Sequence, residues 1–218
     1  MAQKCGIFMT KGEADVCWYA MMSRSSSVDV PSLVFVLTWA KTLVIMKSPF
    51  HLQRWIEENR ELLKPPVGNK NLYPEGTDYI VMIVGGPNAR KDYHYNETEE
   101  LFYQLEGDIL VKIQQDGKAV DVPIKAGEMF LLPPKVPHSP IRSEGSVGLV
   151  IERVRKPEHQ DGLLWFCDNC NHPLYETYFH LSNIEKDFLP RFRYYYASQE
   201  LRTCTNCGTV METDPRFT

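Results

Sequence analysis

The chain has 218 residues, of which 43% are hydrophobic and 24% are charged, and its formal net charge is -4. This length and composition suit one globular domain with an appendage, or two small domains. Proteins that bind nucleic acid or an anionic membrane usually carry a basic surface, and the slight acidic excess of this chain argues against one.

Residues 1–45 differ from the rest of the chain, because they show neither a hydrophobic period nor a motif. Two interpretations stay open for this N-terminal extension: a disordered segment, or an upstream segment outside the working protein. The apolar run 33–46 is shorter than the ~20 residues needed to cross a bilayer, and Lys41 interrupts it. No clean signal-peptide cleavage site follows, so we expect a cytoplasmic protein. Cys5 and Cys17 are expected to be free or poorly ordered thiols.

The first predicted element is a helix that begins at Ser48-Pro49. Serine is a good N-cap, and proline suits the first helical position. Lys64-Pro65-Pro66 ends the helix, and His51 in its first turn is expected to be exposed or to act as a cap. The apolar face is formed by Leu52, Trp55, Ile56, Leu62 and Leu63.

The next part of the chain alternates between strands and turns. Residues 67–69 are predicted to form a turn, and the apolar, β-branched run Tyr79–Val84 predicts a strand. Asp116-Gly117 is a strong two-residue hairpin signal. Further strands are predicted at Leu101–Leu105, Ile109–Gln114, Lys118–Ile124, Met129–Leu132 and Val147–Glu152. Many short strands at this spacing predict an all-β fold, either a barrel or a double-sheet jelly roll.

Two histidines and one glutamate form the first candidate metal site. His94 lies six residues before Glu100, which begins an apolar run, and His138 follows a later predicted strand. Two imidazoles and one carboxylate are the protein ligands of a facial-triad iron(II) site, which leaves positions open for substrate and oxygen. A lone histidine is more often a core or surface residue, so the hypothesis depends on all three residues fitting one pattern.

Four of the six cysteines form the second candidate metal site. Two Cys-x-x-Cys pairs, Cys167/Cys170 and Cys204/Cys207, follow a polar stretch at 153–162 that we interpret as a linker. Four thiolates suit zinc or a single iron in a reducing compartment. A pair of redox dithiols is the alternative, and the lack of a βαβ context disfavours it.

Two segments resemble the motifs of the cupin family. Residues 86–107 contain the first histidine and the glutamate, and residues 127–138 end at the second histidine. Many cupins carry another histidine at the position of Asn96. Its absence leaves three ligands and favours iron(II) over a four-ligand manganese site.

Longer fragments are similar to the 3-hydroxyanthranilate 3,4-dioxygenase family. They include Gly-Gly-Pro-Asn-Ala-Arg-Lys-Asp-Tyr-His at 85–94 and Pro-His-Ser-Pro-Ile-Arg at 137–142. Val-Ile-Glu-Arg at 150–153 and Leu-Leu-Lys-Pro-Pro-Val-Gly-Asn at 62–69 match as well. The resemblance implies a cupin jelly-roll catalytic domain at 46–160. It also implies a small rubredoxin-like metal-binding module at 161–218.

The resemblance also implies the reaction, in which O2 opens the ring of 3-hydroxyanthranilate on the route to quinolinate and NAD. The product in that family is 2-amino-3-carboxymuconate 6-semialdehyde. By position in the family's motifs, the resemblance implies that His94, Glu100 and His138 bind the catalytic iron and that Arg90 contacts O2. Substrate contact falls to Arg142, Glu152, Glu100 and Asn69. A planar guanidinium suits the ring carboxylate, and a buried carboxylate such as Glu152 can accept the phenol proton.

Three functional classes stay open at this stage. An iron(II) dioxygenase is favoured by the complete set of implied residues. A non-catalytic cupin sensor with a metal-stabilised interaction module is the alternative. A thiol or acireductone dioxygenase is the third, and Asn96 disfavours it. A homodimer is expected by fold analogy only. No nucleic acid or membrane partner is expected.

Overall fold

The computed structural model describes residues 48–65 and 68–217, and residues 49–218 form one compact unit. The predictions for residues 1–45, including Cys5 and Cys17, lie outside the described residues. No helix in the described ranges is long and apolar enough to cross a membrane.

The first helix is shorter than predicted. α1 spans Leu52–Glu58, and a 3₁₀ turn at Arg60–Leu63 follows it. The N-cap is His51, whose Nδ1 accepts a hydrogen bond from the backbone N–H of Arg54 at 3.3 Å. The start predicted at Ser48-Pro49 is therefore wrong, because the imidazole three residues later supplies the cap. The predicted capping role of His51 is confirmed.

The described residues form eleven strands in two antiparallel sheets. The strands are β1 (Asn69–Asn71), β2 (Tyr79–Gly85), β3 (Tyr93–Tyr95), β4 (Glu100–Glu106), β5 (Ile109–Gln115), β6 (Lys118–Ile124), β7 (Met129–Leu132), β8 (His138–Arg142), β9 (Val147–Arg153), β10 (Asp161–Phe166) and β11 (Pro173–Phe179). One sheet has the order β1-β2-β9-β4-β7, and the other has the order β11-β10-β3-β8-β5-β6. The predicted all-β class is confirmed.

The strands that the sequence predicted are present, each within one or two residues of the expected bounds. Asp116 and Gly117 have φ of 50° and 74° and close the β5–β6 hairpin as predicted. Five strands were missed: β1, β3, β8, β10 and β11. Most are short or polar, and Pro140 lies inside β8. The predicted turn at 67–69 and the linker at 153–162 are each too long, since they include strand residues.

The core lies between the two sheets, and alternation along the strands fills it. On β4 the inward side chains of Glu100, Phe102 and Gln104 are buried, whereas the residues between them are only half-buried. The apolar core is built from Met82, Phe102, Ile109, Val111, Ile113, Ile124, Leu132 and Val150. The polar ends of these same inward faces form the site described below.

The last part of the chain packs on the edge of the six-stranded sheet. α2 (Ile184–Ala197) begins at Asn183, whose side chain accepts from Lys186 N, and α3 (Gln199–Arg202) follows it. Trp165 of β10 stacks on Tyr195 of α2 at 4.3 Å between ring centroids. β10 also pairs with β3, so the sheet continues across residue 161. The predicted domain boundary at that residue stays a prediction, and it falls at the start of a strand within the sheet.

Candidate active site and four-cysteine site

Three neighbouring strands bring the triad of His94, Glu100 and His138 together. β3 and β8 run antiparallel, with His94 directly opposite His138, and Glu100 begins β4 in the facing sheet. One ligand atom from each residue lies within 4.8 Å of the others, and His138 Nε2 is 3.0 Å from Glu100 Oε2. All three side chains are buried. Two ring nitrogens and a carboxylate oxygen at this spacing fit one metal ion with open positions.

Groups outside the triad hold each ligand in place. Asp161 Oδ2 is 3.1 Å from His94 Nε2, and the carbonyl of Val136 is 3.1 Å from His138 Nδ1. Asn96 Nδ2 donates to Glu100 Oε2 at 3.3 Å. Such contacts fix the orientation of metal-binding side chains. Asn96 therefore supports the carboxylate at the position where many cupins carry a further histidine.

All seven catalytic-site residues singled out in the sequence line one cavity of about 110 Å³. They are Asn69, Arg90, His94, Glu100, His138, Arg142 and Glu152. The structure therefore brings together residues that are spread over more than eighty positions of the chain. Their individual roles stay predictions.

Arg142 is a buried cation with an unused donor. It lies on β8, is 3% exposed, and its backbone N–H donates to Asn88 Oδ1 at 2.9 Å. Its Nη1 has no hydrogen-bond partner among the described residues. Burial lowers the pKa of Arg142 to about 10, against the opposing charge of Glu100, so the side chain is cationic at neutral pH. An unpaired buried donor is costly, and an anionic ligand in the cavity would satisfy it.

Glu152 is a carboxyl group that titrates near neutral pH. It lies on β9 opposite Glu100 and is 5% exposed. Burial raises its pKa to about 7, the charge of Glu100 adds to the rise, and the charge of Arg155 opposes it. Arg155 donates to Glu152 Oε2 and, from Nε, to Asp161 Oδ1 at 2.9 Å. A continuous set of contacts thus joins Glu152, through Arg155 and Asp161, to His94.

Arg90 and Asn69 lie where the cavity adjoins a second, wider pocket. Arg90 is in the loop between β2 and β3, and its guanidinium donates twice to the buried carboxylate of Asp92. Asn69 begins the edge strand β1, where it pairs with Val84. Both side chains also line a wider vestibule that continues from the cavity.

Several residues of the site were not found from the sequence. Asp161 and Arg155 lay in the predicted linker, although the apolar run 163–166 could have indicated β10. Phe188 of α2 lines the cavity with its ring 5.4 Å from that of His94, and no local signal marks it. The remaining wall is formed by Met82, Val84, Asn88, Phe102, Pro140 and Val150.

The four-cysteine site consists of two turns that face each other. Cys167 and Cys170 follow β10, and Cys204 and Cys207 follow α3. The Cys167–Cys207 and Cys170–Cys204 sulfur pairs are each 3.6 Å apart, too far for disulfides. Hydrogen bonds with Thr209 and Asn169 lower the pKa of Cys207 to about 5. Four thiols at this spacing fit a closed tetrahedral metal site.

Comparisons with known proteins point to one family. The sequence profile of 3-hydroxyanthranilic acid dioxygenase matches residues 44–196. A 3-hydroxyanthranilate 3,4-dioxygenase of Xanthomonas campestris pv. campestris (strain 8004) is 60% identical over 79% of this chain and 97% of its own. The protein with the same description in Jannaschia sp. (strain CCS1) is 50% identical over 75% of this chain and 91% of its own.

Solved structures give a weaker match. A cupin-2 domain protein from Shewanella frigidimarina is 21% identical and covers 45% of this chain and 92% of its own, with a TM-score of 0.38. The sequence relatives, which match nearly their whole length, are the stronger comparison.

Proposed function

Because the chain belongs to the 3-hydroxyanthranilic acid dioxygenase family, we propose that its cavity performs the ring cleavage with ferrous iron held by His94, Glu100 and His138. The enzyme converts 3-hydroxyanthranilate to 2-amino-3-carboxymuconate 6-semialdehyde. The C3–C4 ring bond breaks, and both atoms of O2 enter the product. The observation that carries the proposal is that the triad, a buried unpaired cation and a carboxyl group poised near neutrality line one cavity.

Arg142 binds the ring carboxylate in this proposal. Arg142 lines the cavity, and its Nη1 has no hydrogen-bond partner among the described residues. In this proposal the substrate carboxylate accepts hydrogen bonds from the guanidinium. A guanidinium can donate two parallel hydrogen bonds to a carboxylate, which also fixes the rotation of the ring. His138 begins β8 and Arg142 ends it, so in this proposal the phenol end of the substrate lies at one end of the strand and the carboxylate end at the other.

Glu152 accepts the phenol proton. With a pKa of about 7, a large fraction of this group is unprotonated at neutral pH and can act as a base. Arg155, which donates to Glu152, stabilises the carboxylate form. The same Arg155 holds Asp161 against His94, so base and ligand are oriented by one side chain.

Ferrous iron, when bound to the triad, supplies the electron relay between the aromatic ring and O2 that a closed-shell substrate lacks. Arg90 places a positive charge on the side of the cavity that adjoins the wider pocket, where it stabilises negative charge that develops on oxygen. Phe188 and the apolar wall exclude water from the reacting ring.

The four-cysteine site holds iron or zinc and acts as a structural clamp in this proposal. Four thiolates fill a tetrahedral shell and leave no position for a substrate. The two turns join β10, which belongs to the sheet of His94, to the segment after α3. A metal there stabilises the wall that presents Phe188.

The protein acts in the cytoplasm as a homodimer in this proposal. A reducing compartment keeps the thiols available for metal. β7 is the edge strand of its sheet, and its outward side chains Met129 and Leu131 are 62% and 53% exposed. An exposed apolar edge of this kind favours pairing with another chain.

The experiment that tests the proposal is anaerobic reconstitution with iron(II), followed by O2 uptake with 3-hydroxyanthranilate. Uptake should equal substrate consumed, and the absorbance of a new conjugated product should grow. Zinc-loaded protein is the control and should do neither. A reconstituted protein that binds iron at the triad yet consumes no O2 with this substrate would refute the proposal and would favour the sensor hypothesis.

A further inference from the structure

The loop that carries Arg90 is held mainly by hydrogen bonds. This Arg90 loop, residues 86–92, joins β2 to β3. On one side Asn88 N donates to the carbonyl of Arg142 at 3.1 Å, and Asn88 Oδ1 accepts from Arg142 N. A cavity of about 180 Å³ lies beside the loop, lined by Arg90 and by rings of α2 and of the following segment. Packing on this side is therefore incomplete, and the loop depends on directed contacts.

The second contact comes from far along the chain. Arg216 Nη2 donates to the carbonyl of Ala89 at 2.8 Å, one residue before Arg90. Arg216 is itself fixed by Asp214, which accepts from its Nε at 2.9 Å and from its backbone N–H at 3.0 Å. Arg216 also lines the vestibule together with Arg90. The guanidinium therefore forms a strut between residues 214–216 and the loop.

The segment that carries Arg216 is fixed at both ends. We call residues 211–217 the anchoring segment. At its start, Met211 N donates to the carbonyl of Arg202 at 2.8 Å, and the buried Arg202 guanidinium donates to the carbonyl of Met211. At its far end, the ring of Phe217 lies 4.7 Å from that of Phe192 of α2. A strut is effective only if its base is rigid, and these contacts provide the base.

We propose that Arg216 is the positioning residue for Arg90. Through this contact, the anchoring segment affects the rate at which the enzyme reacts with O2. The inference rests on the proposed role of Arg90. Arg216 does not line the cavity that holds the triad, and its hydrogen bond near that cavity is the one to the loop at Ala89. Without this hydrogen bond, the carbonyl of Ala89 next to Arg90 loses its donor, and the loop is held by the contacts of Gly86, Asn88, Lys91 and Asp92. A cavity lies beside the loop on this side. A displacement of a catalytic group by a fraction of an ångström is enough to slow a reaction severalfold or more.

The test compares Arg216→Ala with a matched control, Arg60→Ala. Arg60 is also an exposed arginine paired with a carboxylate, Glu106, and among the described residues it forms no hydrogen bond or ion pair with the Arg90 loop. The first measurement is amide hydrogen exchange in residues 86–92 of the substrate-free protein. Exchange should be about tenfold faster in Arg216→Ala and unchanged in Arg60→Ala. Equal exchange in Arg216→Ala and the parent would overturn the proposal.

The second measurement separates positioning from general destabilisation. In iron-loaded Arg216→Ala, kcat/KM for O2 should fall about tenfold, while anaerobic affinity for 3-hydroxyanthranilate stays within about twofold. Arg216→Lys, which keeps a donor for the Ala89 carbonyl, should recover part of the loss. An O2 dependence equal to that of the parent would overturn the inference. If the parent protein did not open the ring of 3-hydroxyanthranilate, the proposed function would be overturned. The exchange measurement would still show whether Arg216 holds the Arg90 loop.

Discussion

The triad cavity and the four-cysteine site are both candidate metal centres, and they differ in nearly every other property. The triad offers three donors, all buried, in a cavity that also contains Arg142 and Glu152. The four-cysteine site offers four donors, of which Cys170 and Cys207 reach the surface. Burial alone therefore does not tell which site has free coordination positions. The triad is the more buried of the two, yet it has the fewer protein donors and leaves positions open for other ligands.

The difference teaches how one fold separates chemistry from stability. A reacting centre needs empty coordination positions, polar groups aimed at the ligand and exclusion of water. A structural centre needs a full shell of identical donors, and exposure does little harm. The triad therefore lies between the sheets, where side chains from several strands converge. The four cysteines lie in two turns at the edge.

The largest effect is expected when a metal ligand of the triad is removed. His94→Ala, Glu100→Ala and His138→Ala should each lower O2 uptake more than about 1,000-fold, because a three-donor site has no spare ligand. The fold, followed by circular dichroism, should persist, and metal at the four cysteines should be retained. Normal turnover and iron content in Glu100→Ala would show that the triad assignment is wrong.

Arg142→Ala tests the polar part of the same cavity. Truncating one partner of a buried charged pair costs about 2–5 kcal/mol. Affinity for 3-hydroxyanthranilate under anaerobic conditions should fall roughly 30-fold to several-thousand-fold. The control is 2-aminophenol, which lacks the carboxylate and should lose little affinity in the variant. Unchanged binding of 3-hydroxyanthranilate would mean that another residue holds the carboxylate.

Glu152→Gln separates proton transfer from binding. The amide keeps the shape of the side chain but cannot accept the phenol proton, so the single-turnover rate should fall about 100-fold with little loss of affinity. In the parent the rate should rise with pH through about 7 as Glu152 loses its proton, and this rise should vanish in the variant. If the rate fell no more than the affinity, Glu152 would be a binding group only.

The double substitution Cys204→Ser and Cys207→Ser tests the opposite side of the comparison. One metal ion per chain should be lost, and a stability loss of about 3 kcal/mol should lower Tm by about 6–12 °C. Turnover per bound catalytic iron should change by less than about twofold. Metal analysis and calorimetry measure both parts. Full retention of the second metal would exclude the four-cysteine assignment.

The smallest expected effect lies in α2, which connects the two regions. Asp187 accepts from the backbone N–H groups of Ser182 and Asn183 at 2.8 Å, and these bonds hold its pKa below the ordinary value. The carboxylate therefore contributes stability above about pH 4, and the contribution is lost as pH falls through the lower folded-state pKa. Asp187→Asn should lower Tm by about 2 °C at pH 7, and the difference should shrink below pH 4. A difference that is independent of pH would contradict this account.

The sequence by itself determined the parts of this protein that depend on spacing along the chain. The short strand-like runs that form β2, β4, β5 and β9, the turn signals between them and the Asp116-Gly117 hairpin were sufficient to predict an all-β fold, because strand and hairpin geometry is local. The triad and both cysteine pairs were singled out for the same reason. Their donors lie at fixed intervals that few other functions require.

Only the tertiary structure decided which distant groups complete each site. Asp161 lay in a predicted linker, yet it contacts His94 because β10 pairs with β3. Phe188 reaches the cavity because α2 packs against that strand pair, and Arg216 reaches Ala89 across 127 positions. No local pattern encodes such contacts, since they follow from how sheets and helices pack. The same burial sets the pKa of Glu152 near 7, and it depends on the whole fold around the residue.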